Sequence, residues 1–243
     1  MPDNAKGAIS LLHRGVQLDS EKRYTEALVH YQEGLQMLID AMKCMSDPVK
    51  KKQVHQKIEE YMSRAERLKQ YVNKQKEEGK YHEQIKIEDN STGNGYQKVF
   101  GRFLSEDVEE IRIEDPYIRA YHQCQNFLRF CELACKSCPQ LKRIFLTTTR
   151  EGDDKKDKEQ EGWLSKLYAS LLQQSITLTV VYSSTLHDRQ IILSNGWIIK
   201  IGRGLDYFKA PENNMSLGSC DVDLRRCHET VVDVFHNSAV RSF

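Results

Sequence analysis

A histidine and three cationic side chains cluster in one segment of the chain, from His187 to Arg203. His187 and Arg189 are two residues apart, so in a β-strand both side chains leave the same face. Lys200 and Arg203 follow after a predicted turn. A histidine among cations favours an anion site, which would be either catalytic or merely adhesive. The structural alternative is a core hairpin whose charged ends are solvated.

The residues around this cluster predict a β-hairpin. Residues 190–193 and 197–201 are rich in β-branched and aromatic side chains. Asn195-Gly196 lies between them, and this dipeptide is typical of a two-residue type I′ turn. Trp197 opens the second strand, where it either packs in a core or inserts into a bilayer.

Composition limits the classes of protein to consider. The chain has 243 residues, 39% of them hydrophobic and 29% charged, which allows one large domain or two smaller ones with real cores. No run approaches the ~20 apolar residues that span a bilayer, and the first ten residues lack the pattern of a secretory signal. We therefore expect a cytoplasmic protein.

The net charge of +1 predicts binding to charged partners only through local patches. Nucleic acid is not an expected partner, because no basic run is interleaved with aromatics. The seven cysteines are expected to be reduced. Cys131, Cys135 and Cys138 cluster, but their spacing on an apolar helix face favours core packing over a metal site. We expect neither a metal nor a cofactor.

Apolar residues recur every three or four positions through the first 80 residues and predict three helices. Asp19-Ser20 ends the first helix. Ser46-Asp47-Pro48 ends the second, and Pro48 suits the first turn of the third. Gly79 is a natural C-cap. Short connections between the helices predict an antiparallel bundle.

Three segments of this bundle resemble the MIT domain, the microtubule-interacting and trafficking module, over about residues 6 to 79. They are Val16-x-Leu18-Asp19, Tyr24-x-x-Ala27-Leu28-x-x-Tyr31 and Tyr61-Met62-x-Arg64-Ala65-Glu66-x-Leu68-Lys69. The resemblance implies that C-terminal helices of ESCRT-III subunits bind in a groove between the second and third helices.

The implied groove positions are Val29, Gln32, Glu33 and Gln36 on the second helix and Met62, Ser63, Glu66 and Lys69 on the third. Members of this family often carry an acid where Ser63 stands, which leaves Glu66 as the main acid. The alternative is that Met62 and Glu66 are ordinary rim residues of a bundle.

The remainder of the chain alternates strands with helices and predicts an α/β domain with a mixed sheet, largely parallel, to which the hairpin is attached. We place the bundle at residues 1–80 and a junction at 81–95. The second domain is placed at 96–243, with a start as early as about residue 84 allowed. The highly charged stretch 150–161 is predicted to be a solvated loop.

The hairpin resembles, in part, the motif of phospholipase D-like enzymes, which is His-x-Lys-x4-Asp followed by Gly-Ser-x-Asn. His187 and Gly202 match, but Arg189 replaces the lysine and Ser194 falls where the aspartate belongs. Arg203 and Leu205 replace the serine and the asparagine. The resemblance implies a retained fold without catalysis. The alternative is an active phosphodiesterase that pairs two His187 residues in a dimer.

The combination resembles a family of proteins that join an MIT domain to a degenerate phospholipase D-like domain. The segments that carry this resemblance are DPYIR (115–119), NFLRFCE (126–132), HDR (187–189), NGWIIKIGRGLDYF (195–208) and CHET (227–230). It implies a homodimeric, non-enzymatic adaptor for ESCRT-III subunits and acidic phospholipids or phosphoinositides. The implied setting is abscission at cytokinesis, at the late endosome membrane and the midbody.

The cations of the hairpin and of a later basic pair are the expected contacts to acidic lipid. The candidate membrane-binding residues are His187, Arg189, Trp197, Lys200, Arg203, Arg225 and Arg226.

Overall fold

The computed structural model describes residues 3–213 and 215–237, which divide into two compact units between Glu83 and Gln84. No helix in this described part of the chain has both the length and the apolar character that crossing a membrane requires.

The first unit is the predicted three-helix bundle. Its helices are α1 (Asp3–Ser20), α2 (Tyr24–Lys43) and α3 (Pro48–Glu77). The Asp47 side chain caps α3 by accepting hydrogen bonds from the backbone N–H groups of Val49 and Lys50, at 2.9 and 3.3 Å. Gly79 follows α3 with φ +65°, as expected of a residue that ends a helix.

The helices α1 and α2 approach closely because a glycine lies between them. A Cβ on Gly34 would come within 2.9 Å of Leu12. The bundle core is apolar and includes Ala8, Leu12, Leu18, Ala27, Tyr31, Leu35, Leu38, Ile58 and Leu68.

The second unit is built on a seven-stranded sheet with the order β1-β7-β6-β5-β2-β3-β4. The strands are β1 (His82–Ile87), β2 (Glu110–Glu114), β3 (Arg143–Thr148), β4 (Thr177–Tyr182), β5 (Gln190–Leu193), β6 (Trp197–Ile201) and β7 (Thr230–His236). The helices are α4 (Tyr96–Phe100), α5 (Tyr121–Ser137) and α6 (Asp154–Gln173). A 3₁₀ turn, Gly101–Phe103, follows α4.

The predicted mixed sheet is confirmed, but the expectation that it is largely parallel is wrong. Strand β2 pairs in parallel with β3, and β3 with β4. From β2 outward in the other direction, β5, β6 and β7 pair antiparallel. The difference arises because the sequence did not predict β7. This strand pairs antiparallel with β6 of the hairpin and so extends the antiparallel part of the sheet.

Aromatic rings form the core beside α4 and α5. The ring of Tyr96 lies 5.5 Å from that of Phe100, 5.8 Å from Tyr207 and 5.2 Å from Phe208, measured between centroids. The Tyr96 hydroxyl donates to the carbonyl oxygen of Leu205 at 2.5 Å. The segment that follows β6 is therefore packed against the helices and does not form a free loop.

The charged stretch 150–161 is largely helical, so its prediction as a loop is wrong. Helix α6 begins at Asp154, and the Asp153 carboxylate caps it by accepting from the N–H groups of Lys155 and Lys156. The Asp153 cap and the acidic residues of the first turn stabilise the start of α6. This part of the helix can therefore form without an apolar stripe.

The hairpin loop also differs from the predicted type I′ turn. Strand β5 ends at Leu193 and β6 begins at Trp197, and Ile192 pairs with Ile198. Three residues, 194–196, therefore lie between the two strands. Among these, Gly196 alone has a positive φ, +95°. The Asn195 side chain instead donates to the carbonyl oxygen of Phe103 and to the Ser105 hydroxyl, both at 3.0 Å. This tertiary contact holds the longer loop.

Candidate functional site

The eight predicted groove residues of the bundle are all exposed. On α2, Val29, Gln32, Glu33 and Gln36 line a shallow concavity of about 590 Å³ with Leu11 of α1 and Met37. The described lining of this concavity includes none of the four α3 residues, Met62, Ser63, Glu66 and Lys69. Of the two predicted sets, the described lining of this concavity therefore holds only the one on α2.

The helical phase of α2 explains this separation. Its buried residues include Ala27, Tyr31, Gly34, Leu35 and Leu38, which form the stripe that packs in the bundle. Val29 and Gln36 lie on the opposite side of the helix from that stripe. The α3 residue with the most apolar exposed surface among the predicted set is Met62, which is 43% exposed.

Arg64 of the MIT-like segment has a structural contact that sequence reasoning missed. Its Nε and Nη2 atoms donate to the two carboxylate oxygens of Asp19, both at 2.6 Å, and the Tyr31 hydroxyl donates to the same carboxylate at 3.2 Å. Asp19 is only 8% exposed. Burial and the Asp19 charge raise the pKa of Tyr31 to about 12. This network ties α1, α2 and α3 together.

Replacing Arg64 by alanine is expected to destabilise the bundle by about 1–2 kcal/mol, because the nearly buried Asp19 carboxylate loses its charged donor. The expected loss of stability is moderate because the Arg64 side chain is itself 46% exposed, so water screens its charge. Hydrogen exchange of the amides of α1 and α3 measures the loss. Arg67→Ala removes a neighbouring arginine whose described contact is a hydrogen bond to the Ser63 carbonyl, and it serves as the control. Equal exchange in the two variants would contradict the prediction.

The hairpin cations do not share one face of the sheet. Gln190 lies opposite Lys200 in the antiparallel pair, so the two side chains leave the same face. Arg189, one residue before Gln190, leaves the other face. Arg189 and Lys200 therefore do not act together on one face of the sheet.

Arg189 has structural contacts of its own. Its guanidinium lies over the ring of Tyr117, 4.3 Å from the centroid, and its Nη1 donates to the carbonyl oxygen of Gly202. The side chain is half-buried. Arg189 thus joins the start of β5 to the segments that follow β2 and β6.

Trp197 is a core residue and is not available to insert into a membrane. It is 6% exposed, and its ring lies 4.9 Å from the rings of Phe103 and His236. Its place in the candidate membrane-binding set is therefore corrected. The alternation of β6 accounts for this, because Trp197, Ile199 and Ile201 all face the core.

The positions that correspond to the phospholipase D-like motif lack its chemistry. His187 is exposed, and within the described part of the chain its side chain has no hydrogen bond or ion pair. Ser194, at the position of the aspartate, accepts hydrogen bonds from the N–H groups of Glu109 and Glu110. Leu205, at the position of the asparagine, is buried. Nothing in this arrangement orients His187 as a nucleophile.

A buried carboxylate that contacts this segment, Asp115, has backbone partners rather than a histidine. Asp115 accepts from the N–H groups of Tyr117 and Leu205, at 2.9 and 3.1 Å. Burial raises the pKa of Asp115 above its ordinary value. A Cβ on Gly204 would overlap the Asp115 carboxylate, which explains the glycine at a position with φ +62°.

Arg203 and Arg225 lie in the lining of one cavity of about 660 Å³ in the second unit. We call it the cation cavity. Its lining also contains His122, Asn126, Arg129, Asp206, Lys209 and His228, from α5 and from the segments between β6 and β7. Arg129 and His228 were not among the candidate membrane-binding residues, because only the tertiary fold brings them beside Arg203.

Comparison with known proteins covers both units. Residues 6–70 match the model of the MIT (microtubule interacting and transport) domain. Residues 93–236 match the model of the phospholipase D-like domain at the C-terminus of MIT. The chain is 48% identical to mouse MIT domain-containing protein 1 over 235 residues, which covers 96% of this chain and 94% of the mouse protein. The chain therefore belongs to the family of MIT domain-containing proteins with a phospholipase D-like C-terminal domain.

Proposed function

We propose that this protein is a non-enzymatic adaptor that binds ESCRT-III tails through its MIT domain and acidic membranes through its C-terminal domain. We further propose that the protein forms a homodimer and acts in abscission at cytokinesis. Its proposed location is cytoplasmic, at the late endosome membrane and the midbody. Family membership supports an adaptor-type role. The observation that carries the proposal is the pairing of an MIT domain with a domain whose cation cavity suits anionic headgroups.

MIT domains generally bind helical motifs of ESCRT-III subunits. On α3 of this chain, Met62 offers an exposed apolar side chain, with Glu66 and Lys69 exposed one and two turns further on. An amphipathic ligand helix would place an apolar anchor on Met62 and basic residues near Glu66. Met62 and Glu66 are the best-supported contacts of the predicted set.

Two weak contacts become strong when they act together. A single helix-in-groove contact and a single headgroup contact each give modest affinity, but linked sites raise the effective concentration of the second partner. A homodimer would double both kinds of contact. An adaptor of this design concentrates ESCRT-III subunits at acidic membrane without any chemical step.

A bridging experiment tests the proposal. Vesicles of phosphatidylcholine and phosphatidylserine are sedimented with a fluorescent ESCRT-III tail peptide, with and without the protein. We expect the peptide to sediment only when both the protein and the anionic lipid are present. Vesicles of phosphatidylcholine alone are the control. Failure of the protein itself to sediment with anionic vesicles would refute membrane binding, and failure of the peptide to follow would refute bridging.

The competing function is a phosphodiesterase that uses His187 in a dimer. Family membership gives it no support, since the mouse relative is not named as an enzyme. The exposed His187 has no described carboxylate partner to orient it, and the lysine of the motif is a half-buried arginine. We therefore expect no turnover of bis-nitrophenyl phosphate by the wild-type protein. Turnover that His187→Ala abolishes would establish the enzyme instead.

A further inference from the structure

The segment between β6 and β7 exposes two large apolar side chains to solvent. Met215 is 94% exposed and Leu217 is 85% exposed. The backbone around them is held in place by polar contacts. The Asn213 carbonyl oxygen accepts from the hydroxyls of Ser216 and Ser219, at 2.8 and 2.7 Å. We call residues 211–213 and 215–220 the apolar loop.

Arg225 fixes the apolar loop to the body of the domain. Its Nε donates to the Gly218 carbonyl oxygen and its Nη2 to the Ser219 carbonyl oxygen, both at 2.6 Å. A Cβ on Gly218 would lie 3.0 Å from the Arg225 Cα, and its φ is +86°, so this close approach requires glycine. Because the loop is bound in this way, its two apolar side chains remain outside.

The apolar loop borders the cation cavity. Pro211, Ser219 and Arg225 line the cavity, and Pro211, Leu217 and Arg225 line a second concavity of about 470 Å³. Arg226 and the half-exposed Leu224 also line the second concavity. Cationic and apolar side chains thus lie side by side in the lining of the second concavity, which also includes the acid Glu212.

The arginines of the cation cavity are not neutralised, although its Lys209 forms an ion pair with Asp89 at 2.7 Å. Within the described part of the chain, Arg129, Arg203 and Arg225 form no ion pair with a carboxylate. Asp206 is the one acid in the described lining. It accepts from the side-chain amides of Asn126 and Gln123, at 2.9 and 3.2 Å, and its Oδ2 lies 3.4 Å from the Nε2 of His122.

Burial and, after it, neighbouring cations lower the pKa values of two lining groups. Burial, followed by the charge of Arg129, lowers the pKa of Arg225. Burial, followed by the charges of Arg203 and Lys209, lowers the pKa of His228. Both shifts have the direction expected where cations crowd one another. An anion in the cavity would relieve this repulsion.

We infer that the apolar loop and the cation cavity form one membrane-contacting face, in which Met215 and Leu217 enter the bilayer interface and a lipid phosphate occupies the cavity. The inference rests on the proposed membrane function and assigns it to this surface instead of the β5–β6 hairpin. Two apolar side chains bury far less area than a protein interface needs. Apolar side chains beside cations are, however, the composition that binds the interface of an anionic bilayer.

The first test changes the apolar loop. The full-length double variant Met215→Asp/Leu217→Asp is sedimented with vesicles of phosphatidylcholine and phosphatidylserine. Its matched control, Val49→Asp/Leu172→Asp, adds the same charge at exposed apolar positions outside the loop. We expect affinity to fall about tenfold or more for the loop variant, since it loses apolar burial and adds repulsion from the lipid. The control should bind nearly as the wild type does.

The second test changes the cation cavity. Arg129→Glu/Arg203→Glu reverses two lining cations, and Lys136→Glu/Lys166→Glu makes the same change of net charge at exposed lysines outside the lining. We expect the cavity variant to lose about tenfold or more in affinity and the control to lose much less. Melting by circular dichroism, run beside both tests, identifies any variant that unfolds, and Arg129→Gln/Arg203→Gln then replaces the cavity variant.

A direct readout of insertion completes the experiment. Leu217→Trp fluorescence should be quenched by vesicles that contain brominated acyl chains, whereas Leu172→Trp fluorescence should not. This face is refuted if the loop variant and the cavity variant both bind vesicles as tightly as the wild type and Leu217→Trp fluorescence is not quenched. Membrane binding itself would then still stand, because the wild type binds. If the wild type itself binds no anionic vesicle, the proposed membrane function fails, and this inference fails with it.

Discussion

Replacing Trp197 by alanine is expected to lower the free energy of unfolding of the C-terminal unit by about 3–5 kcal/mol. The ring is 6% exposed and packs between Phe103 and His236, so its removal leaves a large void in the core. For a domain of this size the loss corresponds to a fall of about 10 °C in Tm. Calorimetry of the full-length protein measures it.

Trp163→Ala is the matched control for this substitution. Trp163 on α6 is only partly buried and contacts the ring of Tyr121 at 5.4 Å, so we expect a clearly smaller loss. The two variants also separate the two roles considered for Trp197. An unchanged Tm together with lost vesicle binding would place Trp197 at the membrane and contradict the core assignment.

Replacing Met62 by aspartate is expected to weaken binding of ESCRT-III tail peptides by ~2–3 kcal/mol, because a carboxylate would have to be desolvated where an apolar anchor is bound. That is about a 30- to 150-fold rise in Kd. Met62 is 43% exposed and lies outside the bundle core, so the fold should persist. Isothermal calorimetry with tail peptides gives the Kd directly.

Val29→Asp is the informative companion, since Val29 is similarly exposed, at 39%, but lines the concavity that includes Leu11 of α1. We expect it to change the Kd much less than Met62→Asp. An unchanged Kd in Met62→Asp combined with a large rise in Val29→Asp would move the ligand helix to the α1–α2 side. The ligand helix would then contact Gln32, Glu33 and Gln36 on α2 but none of the four predicted residues on α3.

Local patterns predicted most of the elements and their order. The three helices of the bundle followed from apolar spacing, and the start of α3 followed from Pro48, which suits the first turn of a helix. β5 and β6 have the predicted bounds. The predictions failed where a local signal was absent or overridden. The charged start of α6 has no apolar stripe, and the hairpin loop is held by the distant Phe103 carbonyl and Ser105 hydroxyl.

The sequence by itself determined the two kinds of domain and the residue types available for binding, because helical and strand periodicity is a property of neighbouring residues. The tertiary structure alone decided which of these residues meet. Asp19 meets Arg64 across 45 positions, and Arg129 of α5 lines the same cavity as Arg225. It also decided that Arg189 and Trp197 are packed away while Met215 and Leu217 stay exposed. The field of a charge and the burial of an apolar side chain depend on what lies nearby in space, and spacing along the chain does not contain that information.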